Sequence, residues 1–208
     1  LDTNLNSPPA GIELCRVRAV GFADADTIAI DSIFQMVIER GDLFEPRFVE
    51  IQSVALTAPA KRKLITEPYN ILPQEFPAKD NLSLRMRLVV PNDRNHQAGI
   101  CRYDFDKKRW VWRGDSRFDN GVLTAGTPSG GSFVALRDLD PPTISKLSIT
   151  ARRVIADSRP TISFTVVDTL SGIADDRSFD IRLDRKWMIP EYDPESGASM
   201  ETAPAGTL

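Results

Sequence analysis

In the stretch LSLRMRLVV, residues 82 to 90, Leu82, Leu84, Met86, Leu88 and Val90 alternate with Ser83, Arg85, Arg87 and Val89. A pleated strand sends successive side chains to opposite faces, so this period of two gives one apolar face and one largely polar face. TISFTVV repeats the pattern with Ile162, Phe164 and Val166, and SFDIRLD with Phe179, Ile181 and Leu183. The most helix-like segment is DSIFQMVIERGD, where Ile33, Phe34, Val37 and Ile38 approach a helical face. Phe34, Met36 and Ile38 fit alternation as well, and the β-branched content with the Gly41-Asp42 stop favours a strand.

Turn signals punctuate these runs. Asp104 to Lys108 separates GICRYDF from RWVWR, Asp119 to Gly121 precedes VLTAG, and Ser129 to Gly131 precedes SFVAL. Strand and turn alternating at roughly ten-residue spacing predicts an all-β protein built of antiparallel sandwiches. A chain of 208 residues exceeds the common single-domain size, and RDLDPPTI, residues 137 to 144, is its natural boundary. Pro141 and Pro142 cannot donate to a sheet ladder and push the residue before each toward extended geometry. The expected organisation is an N-terminal extension over 1 to 19, one sandwich over 20 to 138, and a second, smaller sandwich over 141 to 208. The second stops where a further strand is expected.

The formal charge of -3 is spread evenly along the chain, with only Lys61-Arg62-Lys63 and Lys107-Lys108-Arg109 as short basic runs. Phosphate neutralisation drives nucleic-acid binding, so no nucleic-acid partner is expected. No apolar run approaches the ~18 to 20 residues of a membrane-spanning helix. A start at Leu1 with no signal-peptide pattern reads as a processed protein or an excised fragment. Cys15 and Cys101 lie too far apart for a CxxC motif, which leaves either one disulfide or two free thiols.

The order of motifs carries a resemblance. PRFVEIQSV, PYNILPQEFPAKDNLSLRMRL, GICRYDFDKKRWVWRG and GVLTAGTPSGGSFVALRD together resemble a ZU-type β-sandwich of the kind found beside ankyrin and netrin-receptor modules. RPTISFTVVDTLSGIADDRSFDIRLDRKWMIPEYDPESG resembles a bacterial immunoglobulin-like repeat. In this order the two are similar to the C-terminal region of secreted or envelope-associated bacterial proteins, which often carry a lysostaphin-type zinc endopeptidase domain upstream. The resemblance implies a secreted, periplasmic or cell-envelope setting and a protein or cell-wall partner. It transfers no activity, because such a peptidase needs several histidines and this chain has one, His96.

The residues themselves supply two candidate sites and no catalytic constellation. Trp110 and Trp112 share a strand face and Tyr103 belongs to the same hairpin; exposed, these rings would form a stacking platform for sugars, and covered, they are packing. Trp187, beside Met188 and Ile189, reads as packing. Asp168, Asp175 and Asp176 fall in loops of the kind that hold calcium, although Asp180, Arg182 and Asp184 read as the solvent face of a strand and YDPESG as a turn. Calcium is the one cofactor to weigh, and no pair of carboxylates is placed for glycoside hydrolysis. Some sandwiches of the first type cleave their own backbone at a hydroxyl, but Ser132 in GGSFVAL lacks a preceding histidine as base. His96 in PNDRNHQAG has no nucleophile beside it in sequence, and Cys101 reads as a buried strand residue. The function expected is a noncatalytic accessory module, with a carbohydrate-binding module and a calcium-stiffened spacer as alternatives.

Overall fold

The computed structural model describes residues 12–21, 23–54, 64–88, 97–148, 161–173, 178–183, 185–188, 191–193 and 197–201. The protein is all-β, with antiparallel pairing throughout the described sheets. It divides into two compact units, Leu1–Leu139 and Asp140–Leu208, and the proline-bearing connector spans that division.

Unit 1 is sandwich-like. A six-stranded sheet runs in the order β1 (Ile12–Val20), β4 (Arg47–Val54), β5 (Tyr69–Leu72), β11 (Gly131–Arg137), β7 (Ala98–Asp104) and β8 (Arg109–Trp112). A five-stranded sheet runs β2 (Asp26–Ala29), β3 (Phe34–Ile38), β6 (Leu82–Arg87), β10 (Val122–Thr127) and β9 (Arg117–Asp119). Both contribute to one apolar core, with Val49, Ile51 and Ile71 from the first sheet and Met36, Leu84 and Leu123 from the second. The alternation in β6 is realised as written: Leu82, Leu84 and Met86 are buried while Arg85 and Arg87 face water. Within DSIFQMVI, Phe34–Ile38 form strand β3, with Phe34, Met36 and Ile38 buried, and Asp31 to Ile33 form the bend before it.

One cross-sheet contact fixes the layers. The Phe34 ring stacks on Tyr69 with centroids 4.5 Å apart, and the Tyr69 hydroxyl donates to Asp31 Oδ2 at 2.8 Å. Asp31 Oδ1 accepts the backbone N–H groups of Ile33 and Phe34, so a single carboxylate shapes the β2–β3 turn and ties it to the opposite sheet. Tyr69→Phe is expected to cost about 1.5 to 3 kcal/mol, the worth of a hydrogen bond to a charged group, as measured by urea denaturation.

Burial first, and then the bond to Asp31, push the Tyr69 phenol far above its ordinary value, and burial does the same to the Cys101 thiol. Both are raised above their unfolded values of about 10 and about 8.5, so their contribution is complete below about pH 8. Stability should fall as the pH rises through and beyond those values, because the unfolded chain alone gives up the protons. Urea midpoints taken from pH 7 to 11 measure this decline.

The described part of unit 2 holds three small sheets. They are β12 (Thr143–Ser145) with β14 (Thr165–Val167), the order β13 (Thr161–Ser163), β18 (Gly197–Glu201), β17 (Glu191–Asp193), and the hairpin β15 (Ile181–Leu183) with β16 (Lys186–Met188). TISFTVV is therefore two strands rather than one. The chain changes partners at Phe164: β13 pairs with β18 and β14 pairs with β12, while Ile162 and Val166 stay buried.

Candidate functional site

The aromatic hairpin is formed by β7 and β8, which are joined at Phe105 to Lys108, where Lys108 takes a positive φ of 52°. Asp104 Oδ1 accepts the Lys107 N–H at 2.9 Å and its other oxygen lies 3.8 Å from the Lys107 ammonium. The Lys107 backbone bond is the largest cause holding the Asp104 carboxyl below the usual carboxylate range. The carboxylate therefore works as a turn closure.

Register places Tyr103 opposite Trp110 and Cys101 opposite Trp112, so all four side chains share one face. Tyr103 and Trp110 are 5% and 6% exposed, Trp112 is half-buried, and Cys101 is fully buried. Tyr103 meets Trp110 edge to face at 5.2 Å and Phe105 edge to face at 4.9 Å. The Trp112 indole lies over Gly99 so closely that a Cβ there would fall inside its six-membered ring's contact radius. These rings turn toward one another and toward the backbone. A sugar platform needs ring faces open to solvent, and Tyr103 and Trp110 do not offer them. Alongside lies an open cleft of about 450 Å³ lined by Gln74, Glu75, Arg102, Asp104 and Trp112 among others.

Why this face is covered can be read from its neighbour. Strand β11 is buried along Gly131–Leu136, on both faces, with Phe133 and Ala135 in the inter-sheet core and Val134 opposite Cys101 on the other side. The run SFVAL carries that signal, since a strand covered on both faces reads as nearly continuous apolar sequence.

The remaining candidates resolve into structural roles or lie outside the described residues. Asp168 Oδ1 accepts backbone N–H groups from Leu170, Ser171 and Gly172 at 3.1, 3.0 and 3.2 Å, which closes a loop. Asp175 and Asp176 lie outside the described residues, as does His96. No group of three or more His, Cys, Asp or Glu side chains is arranged to hold a metal among the described residues. The Ser132 hydroxyl is buried and donates to Asn70 Oδ1 at 2.6 Å, so its proton is held by an amide rather than by a base. Trp187 departs from the packing expected of it: it is 61% exposed, sitting opposite the exposed Arg182 in the β15–β16 hairpin. Arg182 in turn forks onto Asp180 through two 3.0 Å bonds.

The cysteines are both free. Strands β1 and β7 stand four positions apart in the sheet, about 19 Å at ordinary strand spacing. That exceeds the reach of a disulfide, whose Cα atoms lie within about 7 Å. Cys15 is exposed and its thiol donates to Glu50 Oε1 at 3.0 Å, which raises its pKa. Native-state alkylation followed by mass measurement should add one label, at Cys15, with Cys101 labelled only after unfolding.

No protein-family model matches the chain, and no curated protein matches it at significance. No described helix is long and apolar enough to cross a membrane.

Proposed function

We propose that the chain is a noncatalytic interaction module of a secreted or envelope-associated bacterial protein, a ZU-like sandwich followed by an immunoglobulin-like one. It mediates protein contacts or positions a peptidoglycan-acting partner. The observation that supports this reading is the β1 edge. Among the described residues β1 pairs only with β4, which leaves one side of a nine-residue strand for further pairing. Such an edge is a ready template for strand addition.

Its two faces specify what would fit. On the inward side Val20 reaches the core, Arg18 bonds to Asp26 at 2.9 Å, and Arg16 and Leu14 continue into solvent. On the outward side Val17 is 57% exposed and Phe48 of β4 is 74% exposed, with Ala19 opposite Phe48. The occupant is an extended segment of a partner protein, acidic on the side facing Arg16 and apolar on the side facing Val17 and Phe48. Covering a phenylalanine side chain fully contributes about 1.5 to 3 kcal/mol. A second copy of β1 fits poorly, because it would add its own Arg16 and Arg18 to the same edge.

Binding of the full chain to bacterial envelope preparations tests this. The expected result is a saturable component of binding that is lost after protease treatment of the envelope and lost again in a Val17→Asp, Phe48→Asp variant of unchanged melting temperature. Binding with no protease-sensitive component, all of it disappearing after glycan digestion, would favour the carbohydrate-binding alternative, and no binding at all would overturn the interaction reading.

A further inference from the structure

The outer face of the five-stranded sheet carries a second feature, on residues separate from the β1 edge. Arg85 and Arg87 project two apart from β6, so their stems stand roughly 7 Å apart on one face. Neither makes an ion pair or a side-chain hydrogen bond among the described residues. Register sets Gln35 of β3 and Thr124 of β10 on either side of Arg85, with Val122 beside Arg87 and Arg117 next along the row from Thr124.

The β9–β10 turn, with Asn120 and Gly121 both at positive φ, brings Asn120 to the rim, and Ser32 enters from the β2–β3 connection. Together they enclose a shallow cavity of about 340 Å³. Among the described residues its only carboxylate is Asp119, whose Oδ2 accepts the Asn120 amide at 3.1 Å. Two guanidinium groups against that one carboxylate make the described lining cationic.

We propose that this cavity binds an anionic saccharide. Each guanidinium presents a fork matched to a carboxylate or phosphate ester, and the two together hold a single oxyanion or bridge neighbouring ones. Ser32, Gln35, Asn120 and Thr124 are neutral groups that can donate and accept, the complement of sugar hydroxyls. Ile33 and Val122 supply a small aliphatic floor for a ring face. A nucleotide fits less well, because no aromatic ring among the described residues lines the cavity to stack a base. The volume lies within the range of small-molecule sites and suits one or two sugar rings.

Calorimetric titration of the full chain with glucuronate, glucose 6-phosphate, glucose and inorganic phosphate tests the assignment and separates its two oxyanion forms. At least one of the two charged sugars should bind at least tenfold more tightly than both glucose and inorganic phosphate. Whichever is tighter identifies the oxyanion as carboxylate or phosphate. Arg85→Gln with Arg87→Gln should weaken that binding at least tenfold without changing the melting temperature, since both side chains are exposed. Thr124→Val should weaken the charged sugar while leaving inorganic phosphate unchanged. Inorganic phosphate binding as tightly as both sugars, binding indifferent to the arginine substitutions, or no binding to either charged sugar would overturn the proposal. The Val17→Asp, Phe48→Asp variant should titrate normally, so failure here and failure of the β1 reading are distinguishable.

Discussion

Phe34→Ala should lower the unfolding free energy by about 3 to 5 kcal/mol, the range for deleting a buried aromatic side chain. The cost has two sources. The ring is fully buried between the sheets, so its removal leaves a cavity in a close-packed core. It also stacks on Tyr69, and loss of that contact frees the phenol whose hydroxyl anchors Asp31 and hence the β2–β3 turn. Urea unfolding followed by far-ultraviolet circular dichroism measures the change. Phe48→Ala is the control: the same chemistry at an exposed position should stay within about 0.5 kcal/mol.

Gly99→Ala should cost about 1 to 3 kcal/mol by overpacking and should also change tryptophan emission. The new methyl group would occupy space filled by the Trp112 indole, and the β7–β8 pairing fixes the backbone beneath it. The indole is the part that can yield, so it should swing toward solvent and shift its emission to the red. A stability loss with no spectral change would mean that the strand pairing gave way instead of the indole.

How far the sequence anticipated this molecule depends on whether the determining interactions are local. The β6 alternation and the strand nature of residues 34 to 38 follow from pleat geometry, which short segments carry in full. The partner change at Phe164 is different, because TISFTVV has an unbroken period of two and the switch arises from strands distant in sequence. Spacing alone puts Trp110 and Trp112 on one face but cannot say whether that face is covered; the continuous apolar run in β11 was the available clue. Trp187 shows the converse error, since apolar neighbours in sequence do not bury a ring in a two-stranded hairpin. Arg85 and Arg87 are evident as a polar face, whereas their meeting with Gln35, Thr124 and Asn120 depends on non-local register that no single segment encodes.

If Trp110 and Trp112 pack the hairpin, they are not a glycan platform, and contact falls to other surfaces. Acrylamide quenching of tryptophan fluorescence in a Trp187→Phe variant tests this most directly, because removing the exposed ring leaves only the two hairpin indoles to report. The predicted result is blue-shifted emission, weak quenching and no response to neutral glycans or peptidoglycan fragments. Red-shifted emission that acrylamide quenches freely, and that a glycan protects, would contradict it.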